Sequence, residues 1–117
     1  MDSDAAIQAL AALAQGTRLD VFRLLVKHEP DGLPAGEIAR QIAVPHNTMS
    51  AHLAALTRAG LIEGGRQSRS IIYRANLGAV RRLVTFLLED CCGGRPEACG
   101  PQVNDLACCA PEEAAHD

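Results

Sequence analysis

The chain has 117 residues, a net charge of −3 and only three aromatic side chains, none of them Trp. That length suits one small domain with a tail, and the core has to be built from Leu, Ile, Val and Ala. The acidic start Met1-Asp2-Ser3-Asp4 lacks the basic residue and apolar run of an export signal, and no apolar run approaches a membrane span. A cytoplasmic location is therefore expected, with thiols kept reduced.

Residues 5–14 have high helix propensity, with Asp4 as the expected N-cap and Ile7, Leu10 and Leu13 or Ala14 on one face. Gly16 is expected to end this helix and Thr17 to cap the next, which runs to about His28 with a stripe of Leu19, Phe22, Leu25 and Val26. The segment Glu29-Pro30-Asp31-Gly32 reads as a turn. Pro34 suits the start of a short helix over 35–42, with Ile38 and Ile42 inward. A tight turn, Ala43-Val44-Pro45, leads to a longer helix over about 46–59, where Met49, Leu53 and Leu56 repeat at helical spacing and Gly60 stops the pattern. The period then changes. Leu61-Ile62-Glu63 and Ser70-Ile71-Ile72-Tyr73-Arg74 read as strands joined by a tip over 64–69. A last helix is expected over about 78–91. Its apolar residues Val80, Leu83, Val84, Phe86, Leu87 and Leu88 spread over more than one face, as in a helix that is central or shared with a second subunit.

This order gives a mainly α fold with a small β-hairpin, a winged helix-turn-helix. It divides the chain into a domain over 1–90 and a cysteine-rich tail over 91–117. The charge is divided too. Residues 34–82 carry seven Arg against Glu37 and Glu63, while the segments on either side are net acidic. A basic middle is the footprint of a polyanion partner, here double-stranded DNA. A helix-turn-helix sets its second helix in the major groove. His46, Asn47, Thr48 and Ser50, with Ala51, lie at the exposed start of that helix. Asn pairs with adenine, and Thr and Ser reach bases or phosphates. His46 or Asn47 is also a candidate N-cap, and His52 reads as a packed structural histidine. Arg58 suits a phosphate, and Arg66 and Arg69 on the wing suit the adjacent minor groove or backbone. No Gly-rich phosphate loop, nucleophile elbow or His-Glu metalloprotease spacing occurs, so an enzyme is not expected.

The run from Val44 to Ile62, centred on Asn47-Thr48-Met49-Ser50-Ala51-His52-Leu53, resembles the recognition helix of the ArsR/SmtB metalloregulators. Residues 13–25, with Gly16-Thr17-Arg18-Leu19-Asp20, resemble the second-helix signature of that family, and the wing ending Tyr73-Arg74 is also similar. The resemblance covers about residues 5–90. It implies a homodimeric repressor, paired through its first and last helices, that leaves its operator when an inducer binds.

The inducer has to be read from this chain. The short helix before the turn lacks the family's Cys-x-Cys arsenic site, and residues 78–90 hold no His for its zinc-type site. All five cysteines fall in the last 27 residues, as Cys91-Cys92, Cys99 and Cys108-Cys109. An odd, clustered set argues against a disulfide framework, and clustered thiolates suit a soft ion. The pattern resembles the subgroup with a C-terminal arsenite site, which implies Cys91, Cys92 and Cys99 as ligands of As(III), with Sb(III) a related inducer. Cys108 and Cys109 can supply the third thiol, bind a second ion or scavenge. Sensing of Cd, Pb, Zn or Cu(I) stays open, as does thiol redox or metal handling by a protein whose helical domain serves only to dimerise.

Overall fold

A computed structural model describes residues 1–89. Its first helix, α1 (Ser3–Leu13), is capped by Asp2, whose carboxylate accepts the Ala5 N–H at 2.8 Å. Asp4, the expected cap, lies instead in the first turn, where its charge suits the positive end of the helix dipole. Two eligible carboxylates stand two residues apart, and the outer one wins because it adds half a turn of helix. The expected stripe also divides. Ala6, Ala9 and Ala12 are buried, Leu13 packs against the core, and Ile7 and Leu10 point away from it.

The second helix, α2 (Gly16–Lys27), includes the glycine expected to separate the two helices. Gln15 caps it in place of Thr17, its side-chain oxygen accepting the Arg18 N–H at 2.9 Å. Val21, Phe22 and Leu25 face the core, whereas Leu19 and Val26 stay exposed. The turn that follows places Gly32 at φ 76°, close under strand 70–75. A Cβ there would meet the Tyr73 carbonyl oxygen at 2.5 Å, so only glycine serves.

A short strand, β1 (Leu33–Pro34), precedes α3 (Ala35–Ile42), in which Ile38 and Ala39 are buried. The turn to α4 (His46–Arg58) is made by Ala43 in the left-handed region, φ 64°. On α4, Met49, Leu53 and Leu56 are fully buried, as their spacing required. Burying each contributes about 1.5–3 kcal/mol. The wing is longer than the sequence suggested. Strands β2 (Ile62–Gln67) and β3 (Ser70–Ala75) pair from Ile62↔Ala75 to Gln67↔Ser70, leaving only Ser68 and Arg69 at the tip. Ser68 takes φ 56°, the left-handed geometry that matches a two-residue hairpin turn to strand twist. The sheet order is β1-β3-β2, all antiparallel, with Pro34 on the edge strand, where its missing N–H costs no ladder bond.

Asn76 caps α5 (Leu77–Leu87), accepting the Ala79 N–H and donating to the Gly60 carbonyl at 3.0 Å. One side chain thus ties the end of the recognition segment to the start of the last helix. Ala79 and Leu83 face the core; Leu77 and Leu87 do not. The sequence predicts a helix running to about residue 91, but it ends at Leu87, with Leu88 as its C-cap and Glu89 in a turn; residues 90 and 91 lie outside the described residues. Among the described residues no helix is long and apolar enough to cross a membrane.

Candidate nucleic-acid interface

The interface is built around α4. With its Met49-Leu53-Leu56 side held in the core, helical spacing turns Asn47, Ala51, Ala54 and Arg58 directly outward, and all four are exposed. His46, Thr48 and Ser50 are exposed beside them. Neither His46 nor Asn47 is the N-cap: Pro45 holds that position and offers no side-chain cap. Asn47 does part of a cap's work, its Oδ1 accepting the Thr48 N–H at 2.8 Å.

The structure sorts five of the expected DNA residues into three groups, with Asn47, Thr48 and Ala51 exposed on α4 outside them. His46, Ser50 and Arg69 come together around a cleft of about 400 Å³ between α3, α4 and the wing, also lined by Ser70 and Tyr73. Arg66 lies apart, in a groove of about 240 Å³ on the wing with Glu63 and Arg74. Arg58 lines a third cleft, of about 370 Å³, on the far side of α4, with Gln8 of α1 and Arg18 of α2. Ser70, Tyr73 and Arg18 were not picked out from the sequence. Their places depend on the wing register and on the approach of α2 to α4, which no local pattern reports. His52 is half-buried, and its Nδ1 accepts a hydrogen bond from Arg18 Nε at 3.2 Å.

Electrostatics separates structural cations from available ones. Arg74 donates to Glu29 at 2.7 and 3.4 Å, fixing the base of the wing to the turn after α2. That hydrogen bond, helped by the charge of Arg74, holds the Glu29 carboxyl below its ordinary value and raises Arg74. Arg40 is similarly engaged by Glu37, whose carboxyl is lowered first by Arg40 and then by Gln41. Among the described residues no carboxylate pairs with Arg58, Arg66 or Arg69. These three stand ready for an external anion.

Large apolar side chains are also exposed. Ile7 (62 % exposed) and Leu10 (44 %) on α1, and Leu77 (47 %) and Leu87 (56 %) on α5, lie on helices that pack against each other. Cys91, Cys92, Cys99, Cys108 and Cys109 lie outside the described residues. Among those described, no group of three or more His, Cys, Asp or Glu is placed to hold a metal ion.

Known proteins share this arrangement. Residues 13–64 match the family described as a helix-turn-helix domain. The ArsR-like transcriptional regulator from Rhodococcus sp. RHA1 has a similar structure, with a TM-score of 0.65 at 26% identity over 72% of this chain and 76% of that one. The chain has the winged helix-turn-helix fold of such ArsR-like regulators. The chain is also similar to the homodimeric winged helix-turn-helix DNA-binding domain Mb0332 of Mycobacterium bovis, with a TM-score of 0.61 and 28% identity over 73% of this chain and 77% of that one. It is 27% identical to the transcriptional activator HlyU of Vibrio cholerae over 86 residues, 74% of this chain and 77% of the relative.

Proposed function

We propose that this chain is an arsenite-responsive repressor. As a homodimer it binds operator DNA, and it lets go when As(III), or the related Sb(III), is held by the thiolates of Cys91, Cys92 and Cys99. The observation that carries the reading is positional: all five thiols come after α5 in the sequence, with Cys91 and Cys92 just beyond its end, and none lies within the DNA-facing part. Helices α1 and α5 pack against each other and each carries exposed large apolar side chains, which suits pairing with a second copy. An ion bound just past α5 therefore acts beside the expected dimer contact. Three thiolates without histidine match a soft, thiophilic ion and lack the fourth ligand of a closed zinc site.

The chain's own residues supply the other half. The polar ridge of α4 meets base edges, and Arg58, Arg66 and Arg69 meet phosphates. Release requires the inducer to bind the low-affinity state more tightly. A hundredfold loss of DNA affinity corresponds to about 2.7 kcal/mol of coupling.

A gel shift on the region upstream of its own gene, with and without arsenite, tests the proposal. The wild-type shift should disappear with arsenite. Cys91→Ser and Cys92→Ser should keep the shift and abolish release. Normal release by both variants would refute the tail assignment. X-ray absorption on the arsenite complex should count three sulfurs; four around Cd or Zn, with no release by arsenite, would favour the other soft-metal reading.

A further inference from the structure

An α-helix with its side chains is about 10–12 Å across, close to the roughly 12 Å width of the B-DNA major groove. A recognition helix that fills the groove has a sugar–phosphate rim on each flank. At about 100° per residue, His46 and Ser50 lie roughly half a turn of α4 from His52, Ala55 and Ala59. The structure places a cleft beside each set. The wing-side cleft takes Arg69. The opposite cleft, between α1, α2 and α4, is lined by Gln8, Ala11, Ala12, Arg18, Ala55, Arg58 and Ala59. It holds two guanidinium groups and no carboxylate, and most of its wall is alanine methyl, which offers no competing acceptor.

We propose that Arg18, with Arg58, forms a phosphate clamp for the second rim of the major groove, so that α4 sits between two backbone contacts. Arg18 is held for this role. His52 Nδ1 takes its Nε–H at 3.2 Å, and its remaining donors meet no acceptor among the described residues. A guanidinium fixed at one nitrogen presents its other N–H groups in a rigid fork, the geometry that suits phosphate oxygens. The bond leaves from α2 and ends on α4, so the same pair that aims the clamp also fixes the distance between clamp and recognition helix. Gln8 on α1 borders the cleft and is exposed. The inference rests on the DNA-binding reading above.

The test is the salt dependence of binding of the full chain to a random-sequence duplex, followed by fluorescence anisotropy. Phosphate contacts are sequence-independent, and each adds about 0.9 to the slope of log affinity against log salt. Arg18→Ala should make the slope shallower by about 0.9 per bound protomer. Arg18→Lys keeps a cation in the cleft and should retain the wild-type slope despite losing the bond to His52. Gln8→Lys adds a cation at an exposed position and should steepen the slope by up to about 0.9. A merely structural Arg18 would weaken binding at every salt concentration with the slope unchanged, and that result overturns the clamp. If Arg18→Ala does not fold, an unchanged slope for Gln8→Lys overturns it instead. A wild-type chain with no salt-dependent DNA binding would remove the functional reading itself, an outcome separate from either variant.

Discussion

The outward face of α4 and the outward faces of α1 and α5 are equally exposed and chemically opposite. The first presents Asn47, Thr48, Ser50 and Arg58; the second presents Ile7, Leu10, Leu77 and Leu87. A small-domain surface tolerates scattered apolar residues; four of this size on two packed helices suit the proposed subunit contact. The polar face is rich in hydrogen-bonding groups and available cations, as a nucleic-acid surface is. The difference fits the proposed partners: DNA on one face, a second copy of the chain on the other. It also explains why a core poor in aromatics suffices. Alanines on α1 fill the core, and the large side chains left outside are available to the proposed partner.

The most severe way to break this division is to charge the apolar face. Leu10→Glu combined with Leu87→Glu should leave a folded monomer by sedimentation equilibrium. It should also lower DNA affinity about a hundredfold, because two linked recognition helices become one. A dimer that survives both carboxylates would move the subunit contact elsewhere.

A smaller effect sharpens the other face. Asn47→Ala should cost about 1–3 kcal/mol on the chain's own upstream region and almost nothing on random DNA, the signature of a base contact. Arg66→Ala or Arg69→Ala should weaken both equally and flatten the salt slope by about 0.9 per phosphate lost. Equal losses of Asn47→Ala on both duplexes would reassign it to the backbone.

The mildest test concerns the base of the wing, between the two faces. The Glu29 carboxyl is lowered in the folded chain by Arg74, below its ordinary 4.5. Its contribution to stability is therefore present above pH 4.5 and declines as the pH falls through the lowered value. Glu29→Gln should lower the melting temperature slightly at neutral pH, and the gap to wild type should close in acid. A gap that persisted at low pH would show that the pair contributes through packing and not charge.

Much of this was legible in the sequence because it repeats. Met49, Leu53 and Leu56 announce both a helix and its buried side, and the change of period after Gly60 announces the wing. The caps shifted by one or two residues because several eligible side chains stand together at Asp2 and Asp4, and at Gln15 and Thr17. Strand β1 was not legible: two residues carry no period, and Leu33–Pro34 is a strand only because β3 lies alongside. Arg18 was hidden for a related reason. Its sequence neighbours describe α2, while its role is set by His52, 34 residues away. The apolar pattern of α1 showed a sticky face without saying whether the protomer or a partner would cover it. The thiols were the plainest signal of all, and they lie beyond the described residues.

Helix α1 has a further consequence as a three-sided element. Ala6 and Ala9 address the protomer, Ile7 and Leu10 address the outside, and Gln8 and Ala11 border the Arg18 cleft. Within fewer than two turns the helix thus faces the core, the outside and the Arg18 cleft in succession, sides that under the proposals above serve folding, assembly and the DNA rim. A saturation scan of residues 6–11 should separate into three phenotypes with helical spacing, insoluble, monomeric and salt-slope-altered. Few other stretches of this length would let one experiment read stability, stoichiometry and backbone affinity from neighbouring codons.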